Sequence, residues 1–453
     1  MLKLKQVDAT KGKLVPQIII FVVPLILSSL VQKLFNAVDI AVLGNMADTS
    51  AVASVGATTT IVHLIVDAFV GIAAGSKIVL SRLVGKNDEK ELRRTIDTSL
   101  SLAVAFGLFV AILGFVMAPS FLRWVDCPAE CFDGAVLYIR LYLAAAPAIL
   151  LYNYGSAVLT SSGDTKRPLY YSIASGCLNV VLNIVLCLIL PQKVAAVAIA
   201  TAASQVLAAV LVMNRLCRLE GALRVRIRCI RFHFQSFVLL IRFGVPVALV
   251  NLVYPLANLQ IASAINSHGV ACMAGNSAAQ TMEQMVATFR AAFGVSTATF
   301  MGQNLGAEKH DRVRKSFWHH IWLVAVVNTV IAMSVMLLNP LWPKIFLGDD
   351  AAAIEYAVSR NNLVMVANIA TALSAVISHA VQAFGYPIFG TLNAVVWVLG
   401  LRTVWMTFVY PTYPTYMCLI QCFAVTWILT MLSYAVIFFV IYRRYRKGKY
   451  KHI

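Results

Sequence analysis

About twelve runs of mostly apolar residues, each long enough to cross a bilayer, follow one another along this chain. They lie near 14–38, 51–80, 95–118, 134–160, 167–190, 194–215, 236–266, 274–303, 313–338, 352–383, 387–409 and 417–442. A helical span needs about 20 such residues. Spanning β-strands would show about ten residues of alternating pattern. These runs are continuous and longer, so they read as helices. Only 12% of the 453 residues are charged, against about 25% in a soluble domain. Water could not solvate so much apolar surface, so the fold class is all-α and integral to a membrane. The first run is too long for a signal peptide and has no small-residue cleavage site after it. It is expected to remain as the first helix.

The net charge of +18 raises nucleic acid as a partner, and its placement argues against one. When the connectors are numbered alternately, one side holds 28 Lys and Arg residues. The other holds four, with Arg360 assigned to that side. This is the positive-inside pattern. It places both termini in the cytoplasm and the chain in the inner (plasma) membrane as a multi-pass protein. The basic tail YRRYRKGKYKHI also suits anionic headgroups. Nine cysteines show no framework. Cys127 and Cys131 (CPAEC) leave a local disulfide or a weak metal site open, on a nonspecific spacing.

The chain repeats itself. FVVP (21–24) recurs as FGVP (243–246), and SRLVGKNDEKELRRT (81–95) as GQNLGAEKHDRVRKS (302–316). SSGDTKRPL (161–169) corresponds to QAFGYPIFG (382–390). The offset is about half the chain, and the matches are polar, Gly and Pro residues that hydrophobicity does not impose. With about six spans per copy, both halves keep one orientation, which favours rocking of two bundles. The expected division is 1–215, a basic linker 216–235, and 236–453. That linker is expected to lie on the inner face as an amphipathic or a solvated segment.

The segments KLFNAVDIAVLGNMADTSAVASVGA, SSGDTKRP and FMGQNLGAEKHDRVRKSF resemble multidrug and toxic compound extrusion (MATE) transporters of the prokaryotic DinF-like type. The resemblance runs from about residue 10 to 440. It implies two six-helix lobes around a cleft and cation-driven export of bulky amphipathic or cationic compounds by a monomer. It assigns the coupling ion to Asp39, with Asn179 and Asn183 beside it. The fifth-helix motif is normally Asn-x-x-x-Asp, so a second carboxylate is missing here. That favours H⁺ over Na⁺. Gln32, Thr201 and Asn153 match pocket positions.

The residues give a parallel reading. Asp39, Asp67 and Glu283 are the carboxylates that fall deep in apolar runs. Carboxylates survive there because they carry an ion, a proton or a substrate contact; a local structural pairing of Asp39, for instance with Lys33, is the alternative. Pro24 removes a backbone hydrogen bond from the helix that carries Asp39. Protonation of Asp39 is expected to change the bend at Pro24 and expel substrate. Asn179 and Asn183, at i and i+4, share a face, as pocket residues or as packing contacts.

The repeat sets Asp67 against Arg290. An ion pair between them, direct or through His63 or Glu283, would gate one side; pairing within each helix is the alternative. His379 is a further candidate for the substrate cavity. The expected substrate contacts are thus Gln32, Asn153, Thr201, Asp67, Glu283, Arg290 and His379. No Gly-rich turn ending in Lys-Ser/Thr is present, which argues against an ATP-driven pump. No metal cluster or nucleophile–base set stands out, so neither an enzyme nor a cofactor beyond the coupling ion is expected. A flippase-type exporter of lipid-linked precursors and a non-transporting receptor or scaffold are the alternatives.

Overall fold

A computed structural model describes residues 7–46, 49–125, 127–339 and 341–448, without the side chains of 40, 49–53, 57, 59, 60 and 63. Among the described residues every regular element is helical. The first seven helices are α1 (Leu14–Met46), α2 (Thr49–Lys86), α3 (Glu89–Trp124), α4 (Ala129–Ala144), α5 (Ala146–Ser161), α6 (Lys166–Ile189) and α7 (Lys193–Cys217). The rest are α8 (Phe234–Asn266), α9 (Val270–Gly306), α10 (His310–Leu337), α11 (Leu341–Leu347), α12 (Ala351–Ala383), α13 (Ile388–Asn393), α14 (Leu401–Val404) and α15 (Tyr416–Arg446).

Ten helical segments are long and apolar enough to span, or eleven when α4 and α5, bent by 42° at their junction, count as one. The twelfth expected span is α9. It is 37 residues long, but Asn276, Glu283, Arg290 and its many Ser, Thr and Gln residues keep its hydropathy low. Side chains such as Ile112, Phe115, Val116, Leu188 and Leu337 are more than half exposed. A surface this apolar is stable against lipid and unstable against water.

Helix boundaries repeat as the sequence motifs do. α12 begins 222 residues after α4, and α13 begins 222 after α6. Asn87 (φ 57°) and Glu308 (φ 56°) occupy matching places in the two aligned connectors. They are the two non-glycine residues with positive φ among the described residues. A left-handed non-glycine residue is uncommon, so this shared kink is a structural trace of the duplication.

Contacts divide the chain into two units: Met1–Asp8 with Val23–Ala248, and Ala9–Val22 with Leu249–Ile453. The boundaries fall inside α1 and α8, beside Pro24 and Pro246, rather than in the basic linker. Those prolines end the aligned FVVP and FGVP motifs. A proline in a helix interior cannot donate to the carbonyl four residues back, so each helix changes unit beside a position where proline interrupts the ladder. The basic linker holds two short 3₁₀ turns, Gly221–Leu223 and Ile227–Cys229. Leu219 and Val225 are buried in the first unit's core, while Arg224, Arg226, Arg228 and Arg231 are exposed. Two apolar side chains thus anchor the segment while its arginines face outward.

The first unit's main core joins α2, α3, α5 and α7 through Leu80, Ile96, Leu100, Tyr154, Val158 and Val212. In the second unit, residues 9–12 are tied down by side chains of α9 and α10. Arg312 donates to the carbonyls of Ala9 (2.8 Å), Gly12 (2.8 Å) and Lys11 (2.5 Å). Asn304 Nδ2 donates to the Ala9 carbonyl at 3.0 Å, and the Ala9 amide donates to Gln303 Oε1 at 3.1 Å. Two of the three Arg312 bonds face solvent, so Arg312→Ala is expected to cost about 1–2 kcal/mol and to speed trypsin cleavage after Lys11 and Lys13. Cleavage at the parental rate would show that the segment is held by other means.

Candidate ion-coupling site

Two helices in the first unit carry the same spacing of special residues. Ser28, Gln32, Phe35 and Asp39 stand at i, i+4, i+7 and i+11 on α1, which places them on one face. Ser172, Gly176, Asn179 and Asn183 repeat that spacing on α6. The two faces meet along their length. Ser28 Oγ lies 2.9 Å from Ser172 Oγ, and Gln32 Nε2 donates to Ser172 Oγ at 3.3 Å. The Phe35 ring occupies the space where a side chain at Gly176 would begin. At the last rung Asn183 Nδ2 donates to Asp39 Oδ1.

α5 and α7 close the site. Tyr152 OH lies 2.7 Å from Ser172 Oγ and donates to the Pro168 carbonyl at 3.2 Å. Asn183 Nδ2 also reaches Asn179 Oδ1 at 3.3 Å, and Asn179 Nδ2 donates to Thr201 Oγ1 at 3.4 Å. Thr201 Oγ1 in turn donates to the Val197 carbonyl at 3.0 Å. The result is a chain Asp39–Asn183–Asn179–Thr201. It borders a cavity of about 70 Å³ lined also by Gln32, Phe35, Asn36, Tyr152, Ser172 and Gln205. That volume suits an ion with a water or two. A drug-sized molecule needs roughly 300–1,000 Å³.

Asn183 is fully buried, and its Oδ1 has no hydrogen-bond partner among the described residues. A buried amide carbonyl left unbonded is costly. Turned over about its Cγ, the same amide would accept a hydrogen bond from a protonated Asp39. One residue thus serves both protonation states of the acid. Nδ2 hydrogens already point at Asp39 Oδ1 and Asn179 Oδ1, so a metal cation would have to displace them.

Asp39, Asn179, Asn183, Gln32 and Thr201 therefore come together. Asn153 does not line this cavity: its Nδ2 bonds back to the Ile149 carbonyl at 2.8 Å, and its neighbour Tyr152 faces the site instead. Pro24 lies one turn before Ser28. Asp67 is exposed on α2 and lines no part of this cavity. The side chain of His63 lies outside the described residues.

In the second unit, Glu283 takes neither Arg290 nor a free position. It pairs with Arg360 at 2.7 Å, while Arg290 Nη1 donates to Asn368 Oδ1 at 2.6 Å. Arg360 lies not in a connector, as its sequence position suggested, but nine residues into α12, where it is 3% exposed. His379 is half-buried with its Nδ1 2.8 Å from the Ala375 carbonyl, and its ring packs on Gly294. Cys127 and Cys131 are both free. No cluster of three or more His, Cys, Asp or Glu residues able to hold a metal occurs among the described residues.

Sequence reasoning missed Ser28, Ser172 and Tyr152. The matching four-residue stripes on α1 and α6 were the available signal. They also give a sharp test. Gly176→Ala puts a methyl group into the Phe35 ring. Overpacking of this kind costs about 1–3 kcal/mol, and the displaced ring opens the cavity wall beside Asp39. A lowered thermal midpoint with weakened efflux is expected; unchanged values for both would mean the helices part freely here.

Two helical units built on one repeated plan, one of them setting Asp39 beside a small polar cavity, have the architecture of a duplicated membrane transporter. The MatE family profile matches the chain twice, over residues 24–185 and 246–406, starting at each of the two aligned prolines. The chain belongs to the MatE family, whose members are transporters rather than enzymes, multidrug resistance proteins among them. It is 25% identical over 339 residues to the probable multidrug resistance protein YoeA of Bacillus subtilis, covering 73% of each chain. It is 22% identical over 293 residues to the FAD transporter of Shewanella oneidensis, covering 62% of this chain and 64% of that one. Among solved structures, a MOP superfamily transporter from Pyrococcus furiosus superposes with a TM-score of 0.87 at 19% identity, covering 96% of this chain and 98% of that one. An outward-facing multidrug resistance MATE transporter gives the same score and identity, over 99% of both chains.

Proposed function

We propose that this protein is a proton-coupled antiporter that exports amphipathic organic compounds by alternating access, with Asp39 as the proton carrier. The observation that carries this reading is the closed hydrogen-bond chain Asp39–Asn183–Asn179–Thr201 around a cavity of ion size. The acid is loaded from the outer face and discharged to the cytoplasm, and substrate leaves in exchange. The N-terminal helix supplies the moving part: Pro24 lies where α1 passes from one unit to the other. Solved relatives of the same fold include a straight and a bent conformation of MATE, which supports bending as part of the cycle.

The single carboxylate and the amide donors already directed at the site oxygens favour H⁺. A Na⁺ ion would seek more oxygen ligands. The charge asymmetry of the connectors supports cytoplasmic termini in an inner membrane, and a monomer suffices because the repeat supplies both lobes. Substrate-stimulated proton movement in proteoliposomes tests this reading. Export that proceeds with no proton counterflow would refute it.

A further inference from the structure

The second unit gathers three arginines in a membrane-embedded region with one acid between them. Arg290 is on α9, Arg360 on α12 and Arg402 on α14. Arg360 and Arg402 both stack on the Phe423 ring, at 4.7 and 4.6 Å from its centroid. Tyr254 lies within electrostatic range of Arg290 and Arg402, and Glu283 within range of Arg290 and Arg402. Among the described residues Glu283 is the one carboxylate in ion-pair contact with any of the three, and it is committed to Arg360.

Among the described residues, the hydrogen bonds of the other two go to neutral amides. Arg402 Nη1 donates to Asn258 Oδ1 and Arg290 Nη1 to Asn368 Oδ1, each at 2.6 Å. Arg402 is 1% exposed, and the Nε–H groups of Arg360 and Arg402 are buried with no acceptor among the described residues. Uncompensated guanidinium groups out of water are expensive, and amide oxygens do not neutralise them. α14 is a single α-turn between two π-helical stretches, Ala394–Gly400 and Trp405–Val409. Such widened turns recur at functional sites. Arginine in place of lysine suits a planar oxyanion gripped by two N–H groups.

We propose that Arg290 and Arg402, backed by the Arg360–Glu283 pair, form an anion-recognition site that takes a carboxylate or phosphate group of the exported compound. The cargo is then an amphipathic anion or zwitterion rather than a simple cation. This rests on the export reading above, but the site is separate from Asp39: one unit handles the proton, the other the oxyanion.

The test compares two xanthene dyes of opposite charge, fluorescein and rhodamine 6G. Each is bound at equilibrium, with no gradient, to the full-length protein in phosphatidylcholine nanodiscs. Arg402→Gln and Arg290→Gln are each expected to weaken fluorescein binding tenfold or more and leave rhodamine 6G within about twofold. Arg402→Lys should recover part of the loss, and Glu283→Gln, which removes the cluster's acid, should tighten fluorescein. The opposite signs separate recognition from misfolding, because a purely structural role would give losses throughout. In phosphatidylglycerol nanodiscs, weakened fluorescein binding would show the same site accepting a lipid headgroup, and unchanged binding would reserve it for cargo. Absence of fluorescein binding in both lipids, or equal losses for both dyes, overturns the proposal. The assay reads binding with no gradient imposed, so failure of proton coupling and failure of anion recognition give different results.

Discussion

Asp39→Asn is expected to remove all pH-driven export while leaving the protein folded. The substitution keeps the shape of the side chain, and its carbonyl oxygen can still accept from Asn183 Nδ2, so the helix contacts of α1 and α6 survive. What disappears is the group that takes up and releases a proton. With one proton exchanged per molecule, a pH difference of one unit can sustain at most about a tenfold concentration ratio of substrate, since one pH unit is worth about 1.4 kcal/mol. In vesicles carrying the variant that ratio should fall to one, with the thermal midpoint close to the parent's. A variant that still builds a gradient of substrate would move the coupling site away from Asp39.

Arg360→Ala should produce the largest loss of stability. It strands Glu283, which is 14% exposed, without its partner, and also removes the bond to Asn276 Oδ1 and the stacking on Phe423. Breaking one side of a buried pair costs about 3–5 kcal/mol. Arg94 and Glu91 make a pair of the same length, 2.7 Å, but are 37% and 40% exposed. An exposed pair is worth about 0–1 kcal/mol, so Arg94→Ala should be nearly silent. Burial rather than distance separates the two outcomes. Replacing both partners, as Arg360→Met with Glu283→Gln, should recover much of the loss, because it leaves no charge unpaired. Equal thermal midpoints for Arg360→Ala and Arg94→Ala would show that the buried pair is open to water.

The helical membrane architecture was legible because apolar runs of this length have one stable form in lipid. The duplication was legible in its polar, Gly and Pro residues. α9 lay closer to the limit: its run is interrupted by the charged and amide residues that make the second unit's network. The points where α1 and α8 pass between units left only a weak mark, a proline in each, since a kink site and a packing site look alike in one dimension. The π-helical turns around Arg402 left none, because hydropathy does not register helix pitch.

Within the site, the expense of a buried charge made Asp39 conspicuous, and helical spacing made Asn179 and Asn183 a pair. Ser172 and Tyr152 were hidden by being ordinary. A serine or tyrosine in a span packs without a partner visible in the sequence, and only the facing helix shows that Ser172 has three hydroxyl or amide neighbours. Arg360 was misassigned for a different reason. A long basic side chain near a span end normally reaches toward the interface, and here Glu283, 77 residues away in sequence, holds it inside.

Export from proteoliposomes under separately imposed pH and Na⁺ gradients, with parent and Asp39→Asn compared side by side, tests the central claim most directly. A pH gradient alone should drive export by the parent, a Na⁺ gradient alone should not, and the variant should respond to neither. Export driven by Na⁺ at uniform pH, or pH-driven export that persists in Asp39→Asn, would contradict that claim.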